Sequence, residues 1–367
     1  MKQKNPVYEE LVIEKLVHGG QGLGTLQDGR KAFIWNALPG ERVKALLTKR
    51  KRDFVEGIAE EILEASPERI EPKESIYLAT SPWQNMTLNS EHEAMHDIVQ
   101  ETFKREGVPL PDFEIVSDGN KFGYRNKIEF SFYGDDEGFH YAFYNRGTHR
   151  KQIVQGSALA LPAINDAAQA LLAELNKNSV RAGDLKSVIL RSNQAGKVVA
   201  ALFVKSETFT KFKLPEGISG LKVYHSNPKS PASVATKLLY EVGDMKLEDT
   251  LLGTPMQYDV IGFFQVNLSV FELALQRIDQ VSHSTKNKVD MYAGVGSIGI
   301  PIGDTKALVE LDPANVAMAK KNVGDKDIEV IEASTEQALE YITPDSCLIV
   351  DPPRSGLHKD VIERILE

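Results

Sequence analysis

Cysteine is almost absent from this 367-residue chain, which contains only Cys347. A single cysteine excludes an internal disulfide framework and a cysteine-rich zinc or iron–sulfur site. Long apolar segments are also missing, since no run reaches the roughly 18 apolar residues that a membrane-spanning helix needs. The first residues, MKQKNPVYEE, lack the apolar stretch of a signal peptide. We therefore expect a cytoplasmic protein that does not enter a membrane.

Positive charge is scarce relative to negative charge. The 43 Lys and Arg residues are outnumbered by 52 Asp and Glu residues, which gives a formal net charge of −9. Proteins that coat nucleic acid by charge alone carry clustered Lys and Arg, so this composition disfavours that class but leaves room for a local basic groove. The densest basic run is Lys49-Arg50-Lys51-Arg52, and by itself it indicates a solvated turn between strands.

Three regions of different pattern divide the chain. Residues 1–65 contain short β-like segments separated by glycine turns, which predicts a small barrel. After a polar, proline-bounded connection, residues 66–255 combine amphipathic helices at 91–105 and 159–175 with strand pairs, which predicts an antiparallel α+β domain. Residues 256–367 have the pattern of an α/β domain, on which the 91–105 helix is a candidate to pack.

Two histidines on the 91–105 helix have the spacing of metal ligands. His92 and His96 lie four residues apart and so share one face of the helix. The sequence offers no third ligand, which a zinc site requires. We therefore interpret both as surface or packing residues and expect no metal.

A glycine-rich turn carries the clearest chemical signal. A predicted strand ends at Asp290-Met-Tyr292, and Gly294-Val-Gly296-Ser-Ile-Gly299 follows, where glycines permit φ > 0 and let a ligand approach the backbone closely. Glu310 lies twenty residues after Asp290, about where a ribose-binding carboxylate belongs. These features alone fit both a nicotinamide cofactor and S-adenosylmethionine, because both present an adenosine ribose.

The residues that follow the turn separate these two cofactors. Only 68 residues follow Gly299, too few for the second mononucleotide-binding half of a nicotinamide enzyme. Instead, Asp351-Pro-Pro-Arg354 ends a later predicted strand, at the edge where α/β sheets bind ligands. The two prolines fix the chain behind the Asp351 carboxylate. The pattern favours an S-adenosylmethionine methyltransferase over a surface turn after an ordinary strand.

Together with Phe263-Phe-Gln-Val-Asn267 and Val309-Glu-Leu-Asp312, these segments resemble in order the motifs of RNA uracil-5 methyltransferases that carry an N-terminal TRAM domain. The resemblance includes His18-Gly-Gly-Gln-Gly-Leu-Gly24 and covers essentially the whole chain. It implies an OB-like TRAM β-barrel that binds RNA, a central α+β domain and an incomplete C-terminal Rossmann-like methyltransferase domain. No iron–sulfur cluster is expected, because the stretch matching the family's cluster segment, 77–96, has no cysteine.

The resemblance also assigns roles to individual residues. Those that correspond to contacts with S-adenosylmethionine or the target base are Gln265, Tyr292, Gly294, Gly296, Glu310 and Asp351, with Ser334 as a candidate for the adenine edge. The RNA contacts that it implies are Arg50, Lys51, Arg52 and Phe54. Phe33 and Trp35 fit either an RNA-facing surface or the barrel core.

The catalytic nucleophile and base of this family have no counterpart in the chain. In the family, a cysteine thiolate adds to C6 of uracil and thereby activates C5 for methylation. We expect that cysteine and the glutamate base to lie beyond Glu367, and we assign no catalytic residue within the chain. Cys347 is not taken as the nucleophile, because its pattern predicts a buried parallel strand, where cysteine acts as a small hydrophobe.

The resemblance implies S-adenosylmethionine-dependent methylation of C5 of a uridine in RNA by a monomer. Ribosomal RNA is the expected substrate, because the TRAM domain is more typical of that branch. Transfer RNA is one alternative, and a noncatalytic RNA-binding protein that retains the cofactor fold is another. Methylation of an amino group on adenine or guanine is disfavoured, since Arg354 replaces the aromatic ring that stacks on the base in those enzymes.

Overall fold

The computed structural model of the protein describes residues 6–135, 138–148, 150–178, 180–230 and 232–367. These residues form two compact units. The first comprises residues up to 121 together with 142–159, and the second comprises 122–141 together with 160–367. This division is coarser than three domains, and the boundaries at 65 and 255 stay predictions.

Five strands of the first unit close into a barrel in the order β1-β2-β3-β5-β4. These strands are β1 (Tyr8–Leu16), β2 (Gly22–Thr25), β3 (Lys31–Trp35), β4 (Arg42–Arg50) and β5 (Phe54–Glu64). Along β3, Ala32 and Ile34 are completely buried in the barrel core, whereas Phe33 and Trp35 alternate with them and are half-buried. Because successive strand residues face opposite sides, the two aromatic rings lie on the outside of the barrel.

The first unit also contains two helices, α1 (Tyr77–Thr80) and α2 (Leu88–Arg105), separated by a 3-10 turn at Pro82–Asn85. Helix α2 begins three residues before its predicted start, because the Thr87 side chain accepts a hydrogen bond from the Ser90 amide and caps it. Ala94 and Ile98 of α2 pack against the buried barrel residue Leu16. Packing of this helix on the methyltransferase domain stays a prediction.

A sheet in the second unit has the order β12-β11-β10-β9-β6-β7. Its strands are β6 (Lys127–Asp135), β7 (Gly138–Tyr144), β9 (Leu185–Ser192), β10 (Val198–Val204), β11 (Ile218–His225) and β12 (Lys237–Gly243), while β8 is Lys151–Val154. The prediction of an antiparallel domain is wrong at one pair, because β10 and β11 run parallel. The connection at 205–217 has the dozen or so residues that such a crossover requires. Helix α3 (Pro162–Lys177) contacts this sheet.

The polypeptide then forms a hairpin of β13 (Leu247–Leu251) and β14 (Thr254–Tyr258), followed by α4 (Leu268–Ser282). Four parallel strands complete the second unit in the order β17-β16-β15-β18. They are β15 (Lys288–Met291), β16 (Thr305–Glu310), β17 (Glu329–Glu332) and β18 (Cys347–Val350), with helices α5 (Gly299–Ile302), α6 (Pro313–Val323) and α7 (Lys359–Leu366).

Strand β18 corrects the expectation for Cys347. The strand is parallel as predicted, but it stands last in the sheet order, Cys347 is only half-buried and Val350 is 37% exposed. Among the described strands β18 pairs only with β15, so it is covered less than β15 and β16, and its apolar sequence alone does not distinguish these positions. Among the described helices, none is long and apolar enough to cross a membrane.

Candidate cofactor and base site

The carboxyl ends of the four parallel strands bring several predicted site residues to one edge. Met291 is paired with Val309 on one side and with Val350 on the other, and Glu310 is paired with Glu332. Residues that end or follow these strands therefore line the same edge of the sheet. Those predicted residues are Tyr292, Glu310, Ser334 and Asp351.

The glycine turn after β15 has a backbone that requires glycine. Gly294 and Gly296 have φ values of 56° and 83°, in the left-handed region. A Cβ atom on Gly296 would lie 2.4 Å from Cδ1 of Ile300, so alanine there would displace that side chain in addition to straining the left-handed backbone. A Cβ on Gly294 would meet no heavy atom of the described residues within 4 Å. The turn is thus packed against the protein at Gly296 and open to a ligand at Gly294.

Glu310 fixes this turn to the end of β16. Its Oε2 accepts a hydrogen bond of 2.8 Å from the Gly294 amide, and its Oε1 accepts one of 2.8 Å from the Asp312 amide. An ionised carboxylate has about four lone-pair sites, so both oxygens can still accept further hydrogen bonds. The half-buried carboxylate is therefore oriented by the backbone and can receive the two hydroxyl groups of a ribose.

Asp290, the residue from which the spacing to Glu310 is counted, lies beneath the glycine turn and is a further candidate site residue. It is completely buried, and its Oδ2 accepts a 2.8 Å hydrogen bond from the Gly299 amide. Oδ1 has no hydrogen-bond partner among the described residues. Burial raises the pKa of Asp290 to about 7 against the opposing effect of the Gly299 amide, and the negative charges of Asp351 and Glu310 add to the rise.

The effect on Asp290 also relates Glu310 and Asp351 to each other. Glu310 and Asp351 both raise the pKa of the same buried carboxyl group, that of Asp290, so both lie within interaction range of one point below the turn. Asp351 is exposed as the first residue after β18. The two carboxylates therefore border a common edge of the sheet.

Gln265 lies on the loop between β14 and α4. Its neighbour Phe264 is 2% exposed and belongs to the buried cluster that also contains Ala293 and Val295 of the glycine turn. Phe263, on the other side of Phe264, is 62% exposed. The buried ring thus anchors the segment that carries Gln265 to the same core as the turn.

The remaining predicted residues occupy distinct settings. Ser334 follows β17, and it forms a capping box with Gln337 of the next 3-10 turn, so its hydroxyl group already serves its own backbone. Tyr292 has φ of 65° and packs on the core cluster beneath the sheet edge.

His96 stacks on Phe113 with ring centres 4.6 Å apart, as a packing residue does. Within the described ranges, no three His, Cys, Asp or Glu side chains could hold a metal ion together.

The predicted RNA contacts lie on the barrel. Arg50 ends β4, Lys51 and Arg52 follow it in the turn before β5, and all three are exposed. Phe54 is half-buried and meets Phe33 edge to face, with ring centres 5.9 Å apart. The turn therefore presents three cations beside an aromatic pair on the outer surface of the barrel.

Comparisons with known proteins support both parts of the chain. Residues 87–367 match the family model described as tRNA (Uracil-5-)-methyltransferase, and residues 8–59 match the TRAM domain. A protein of Fusobacterium nucleatum described as an uncharacterized RNA methyltransferase is 25% identical, covering 98% of this chain and 84% of its own length. A Lactococcus lactis protein with the same description is 27% identical, covering 98% and 85%.

A solved structure has a similar fold. The tRNA (uracil-54, C5)-methyltransferase of Pyrococcus abyssi, solved in complex with S-adenosyl-L-homocysteine, superposes with a TM-score of 0.75 at 18% identity. The superposition covers 97% of this chain and 87% of the archaeal one. The similarity therefore shows a shared fold.

Proposed function

Because the chain belongs to the tRNA (uracil-5-)-methyltransferase family, and is therefore an S-adenosylmethionine-dependent RNA methyltransferase, we propose that it methylates C5 of a uridine in ribosomal RNA in the cytoplasm. The observation that carries this proposal is the edge of the parallel sheet, where the glycine turn, Glu310 and Asp351 lie side by side. We further propose that β15 to β18 are strands of a Rossmann-like methyltransferase sheet.

The residues of this edge fit S-adenosylmethionine. The open space above Gly294 admits the cofactor, and Glu310 accepts hydrogen bonds from both ribose hydroxyl groups. Tyr292 packs beside the adenosine, with Ser334 as a weaker candidate for the adenine edge because its hydroxyl group is already used. When bound, the cofactor supplies an electrophilic methyl group on a sulfonium centre.

The target uracil is read by Gln265 and Asp351. A glutamine side chain both donates and accepts hydrogen bonds, which suits the alternating N–H and C=O groups of uracil, and a flipped base exposes that edge. Cys347 does not supply the nucleophile in this proposal. It begins β18, and at about 3.3 Å per strand residue it lies about 10 Å below the carboxyl edge where the base would bind.

The barrel supplies RNA affinity in this proposal. Arg50, Lys51 and Arg52 contact phosphates, and Phe54 offers an aromatic surface to a nucleotide. Ribosomal RNA is the first candidate, and transfer RNA, the substrate class in the name of the Pyrococcus abyssi protein, is the second.

Covalent trapping tests the reaction and the substrate together. The full-length protein is incubated with S-adenosylmethionine and either ribosomal or transfer RNA that contains 5-fluorouridine, which blocks release of the enzyme after methyl transfer. We expect a covalent protein–RNA adduct with one RNA class, which mass spectrometry then maps to a single uridine. Absence of an adduct with both classes, from protein that binds the cofactor, would contradict the uracil mechanism.

A further inference from the structure

Arg191 on β9 lies beneath the loop that carries Gln265. It is completely buried, yet its guanidinium group forms no described ion pair and instead donates to three carbonyl groups of this loop. Nη1 donates to Asp259 at 2.9 Å and to Gly262 at 2.8 Å, and Nη2 donates to Phe264 at 2.8 Å. One side chain thus binds three carbonyl groups, at the start of the segment and farther along it, and the segment has no regular secondary structure.

Lys127, the first residue of the neighbouring strand β6, and Asn126, which precedes it, hold the same loop. Asn126 donates from Nδ2 to the Gln265 carbonyl at 2.9 Å and from its amide to the Val266 carbonyl at 3.1 Å. Lys127 donates from Nζ to the Ile261 carbonyl at 2.6 Å. The carbonyl groups on both sides of the Gln265 side chain are therefore bound from below by the central sheet.

Burying the charged Arg191 side chain costs free energy that packing alone does not require. Burial lowers the pKa of Arg191 to about 10, so the group remains charged at neutral pH while it is removed from water. Its guanidinium carbon lies 4.7 Å from the Tyr258 ring centre, and that ring stacks on Phe264 at 4.0 Å. A buried apolar side chain of similar volume would fill this space without desolvating a charge.

We propose that Arg191 is a positioning residue for methyl transfer: it sets the backbone of the 259–266 loop so that Gln265 faces the target uracil beside the sheet edge. Because the loop is irregular, its conformation depends on these donated hydrogen bonds. Phe264 points into the core and Gln265 emerges next to it, so a shift of the loop backbone displaces the Gln265 amide directly. The inference rests on the proposed function of the edge.

The test uses a double-mutant cycle in the full-length protein. Arg191→Met keeps most of the side-chain volume and removes the three donors. We expect its turnover of 5-methyluridine formation to fall about a hundredfold, the loss typical of a misplaced substrate contact. The dissociation constant for S-adenosylmethionine should stay within about twofold, because the Glu310 turn has its own supports. In a protein that already carries Gln265→Ala, the Arg191 substitution should cause little further loss of turnover, since both substitutions remove the same contact between Gln265 and the base.

A matched control and a second variant keep the outcome decisive. Ser187→Ala also removes a buried polar group from β9. Its hydroxyl group forms a hydrogen bond with Ser233 and not with the 259–266 loop, so turnover should stay near the wild-type value. If Arg191→Met does not fold, Arg191→Lys is measured instead. Its single ammonium group does not reproduce the three-carbonyl fork, and a loss of at least about tenfold is expected.

Other outcomes would overturn the inference. Wild-type turnover in the variant that folds, or a double mutant whose losses multiply, would mean that Arg191 does not act through Gln265. A wild-type protein that binds cofactor but methylates neither RNA class would remove the proposed function, and the inference with it. Turnover by the wild type together with an unaffected Arg191 variant would remove the inference alone.

Discussion

Glu41 in the barrel and Asp290 in the parallel sheet are both completely buried carboxylates, but their surroundings differ. Glu41 is saturated: it accepts hydrogen bonds from the amides of Leu38 and Ser66 and pairs with the Arg69 guanidinium at 2.5 Å. Asp290 accepts one hydrogen bond, from the Gly299 amide, and its Oδ1 has no described partner. The negative charges of Glu310 and Asp351 raise its pKa further.

The difference is the one expected between a structural carboxylate and a carboxylate at a functional site. A buried charge that is fully paired holds segments of backbone together. A buried carboxyl group that lacks a partner and faces like charges destabilises its own ionised form, which proteins tolerate mainly where ligands bind or reactions occur. We therefore expect the buried charge of the barrel to contribute to stability and the carboxylates of the sheet edge to contribute to binding.

Replacing Glu41 by alanine tests the structural half of this contrast. The Arg69 guanidinium, 18% exposed, would lose its partner, so we expect the free energy of unfolding to fall by about 3–5 kcal/mol. Urea denaturation measures this loss. Glu61→Ala is the matched control, because Glu61 is an exposed barrel residue 3.8 Å from Lys44, and its effect should stay within about 0.5 kcal/mol. Equal losses in the two variants would show that the buried pair has no special role.

Replacing Glu310 by glutamine tests the binding half. The amide presents one acceptor instead of two and would oppose either a backbone N–H group or a ribose hydroxyl group. We expect affinity for S-adenosylhomocysteine to fall about a hundredfold, or roughly 3 kcal/mol, by isothermal titration calorimetry. Glu332→Gln changes an exposed carboxylate at the end of the adjacent strand and should bind normally. Similar affinity of both variants would rule out the ribose contact.

Replacing Asp290 by asparagine tests whether its buried carboxyl group makes the free energy of unfolding depend on pH. The folded-state pKa of about 7 exceeds the ordinary value of 3.8, so between these values folded Asp290 holds a proton that the unfolded chain has released. Wild-type stability therefore falls as pH rises through this window, and the asparagine variant lacks that slope. Relative to wild type, the variant should gain about 2–3 kcal/mol from pH 5 to pH 8 in urea denaturation.

A control on the surface tests whether burial causes this slope. Asp327 is 99% exposed and pairs with Lys306, so Asp327→Asn should run nearly parallel to wild type across the same pH range. If Asp290→Asn also runs parallel, Asp290 is ionised at neutral pH and the contrast with Glu41 disappears.

The smallest expected effect concerns the exposed cations of the barrel. Lys51→Gln and Arg52→Gln each remove one phosphate contact, so the salt dependence of RNA binding should weaken by about one counterion per substitution while the sequence preference is unchanged. Fluorescence anisotropy at several salt concentrations measures this slope. Lys286→Gln, a control at an exposed lysine of the second unit, should leave the slope unchanged. If only the Lys286 variant showed a weaker salt dependence of RNA binding, RNA would bind at a surface other than the turn between β4 and β5.

Several elements were predictable because a local pattern was sufficient. The alternation of β3 and the glycine turns of residues 1–65 predicted the barrel, and the match of residues 8–59 to the TRAM domain confirms it. The predicted start of helix α2 was three residues too late, and the cap at Thr87 accounts for the difference. The parallel pair β10–β11 and the half-buried edge strand at Cys347 were not predictable, because neighbour order in a sheet depends on residues distant in sequence.

The amino-acid sequence by itself determined which residues share the sheet edge, since parallel strands must end at a common edge, Glu310 ends a strand, and the glycines and Asp351 follow strands in the sequence. Only the tertiary structure decided that Asp290 is desolvated beneath them and that Arg191, 74 residues before Gln265 in the printed sequence, binds the backbone of the loop that carries it. Burial and long-range hydrogen bonds arise when separate elements pack, and short sequence patterns do not contain that information.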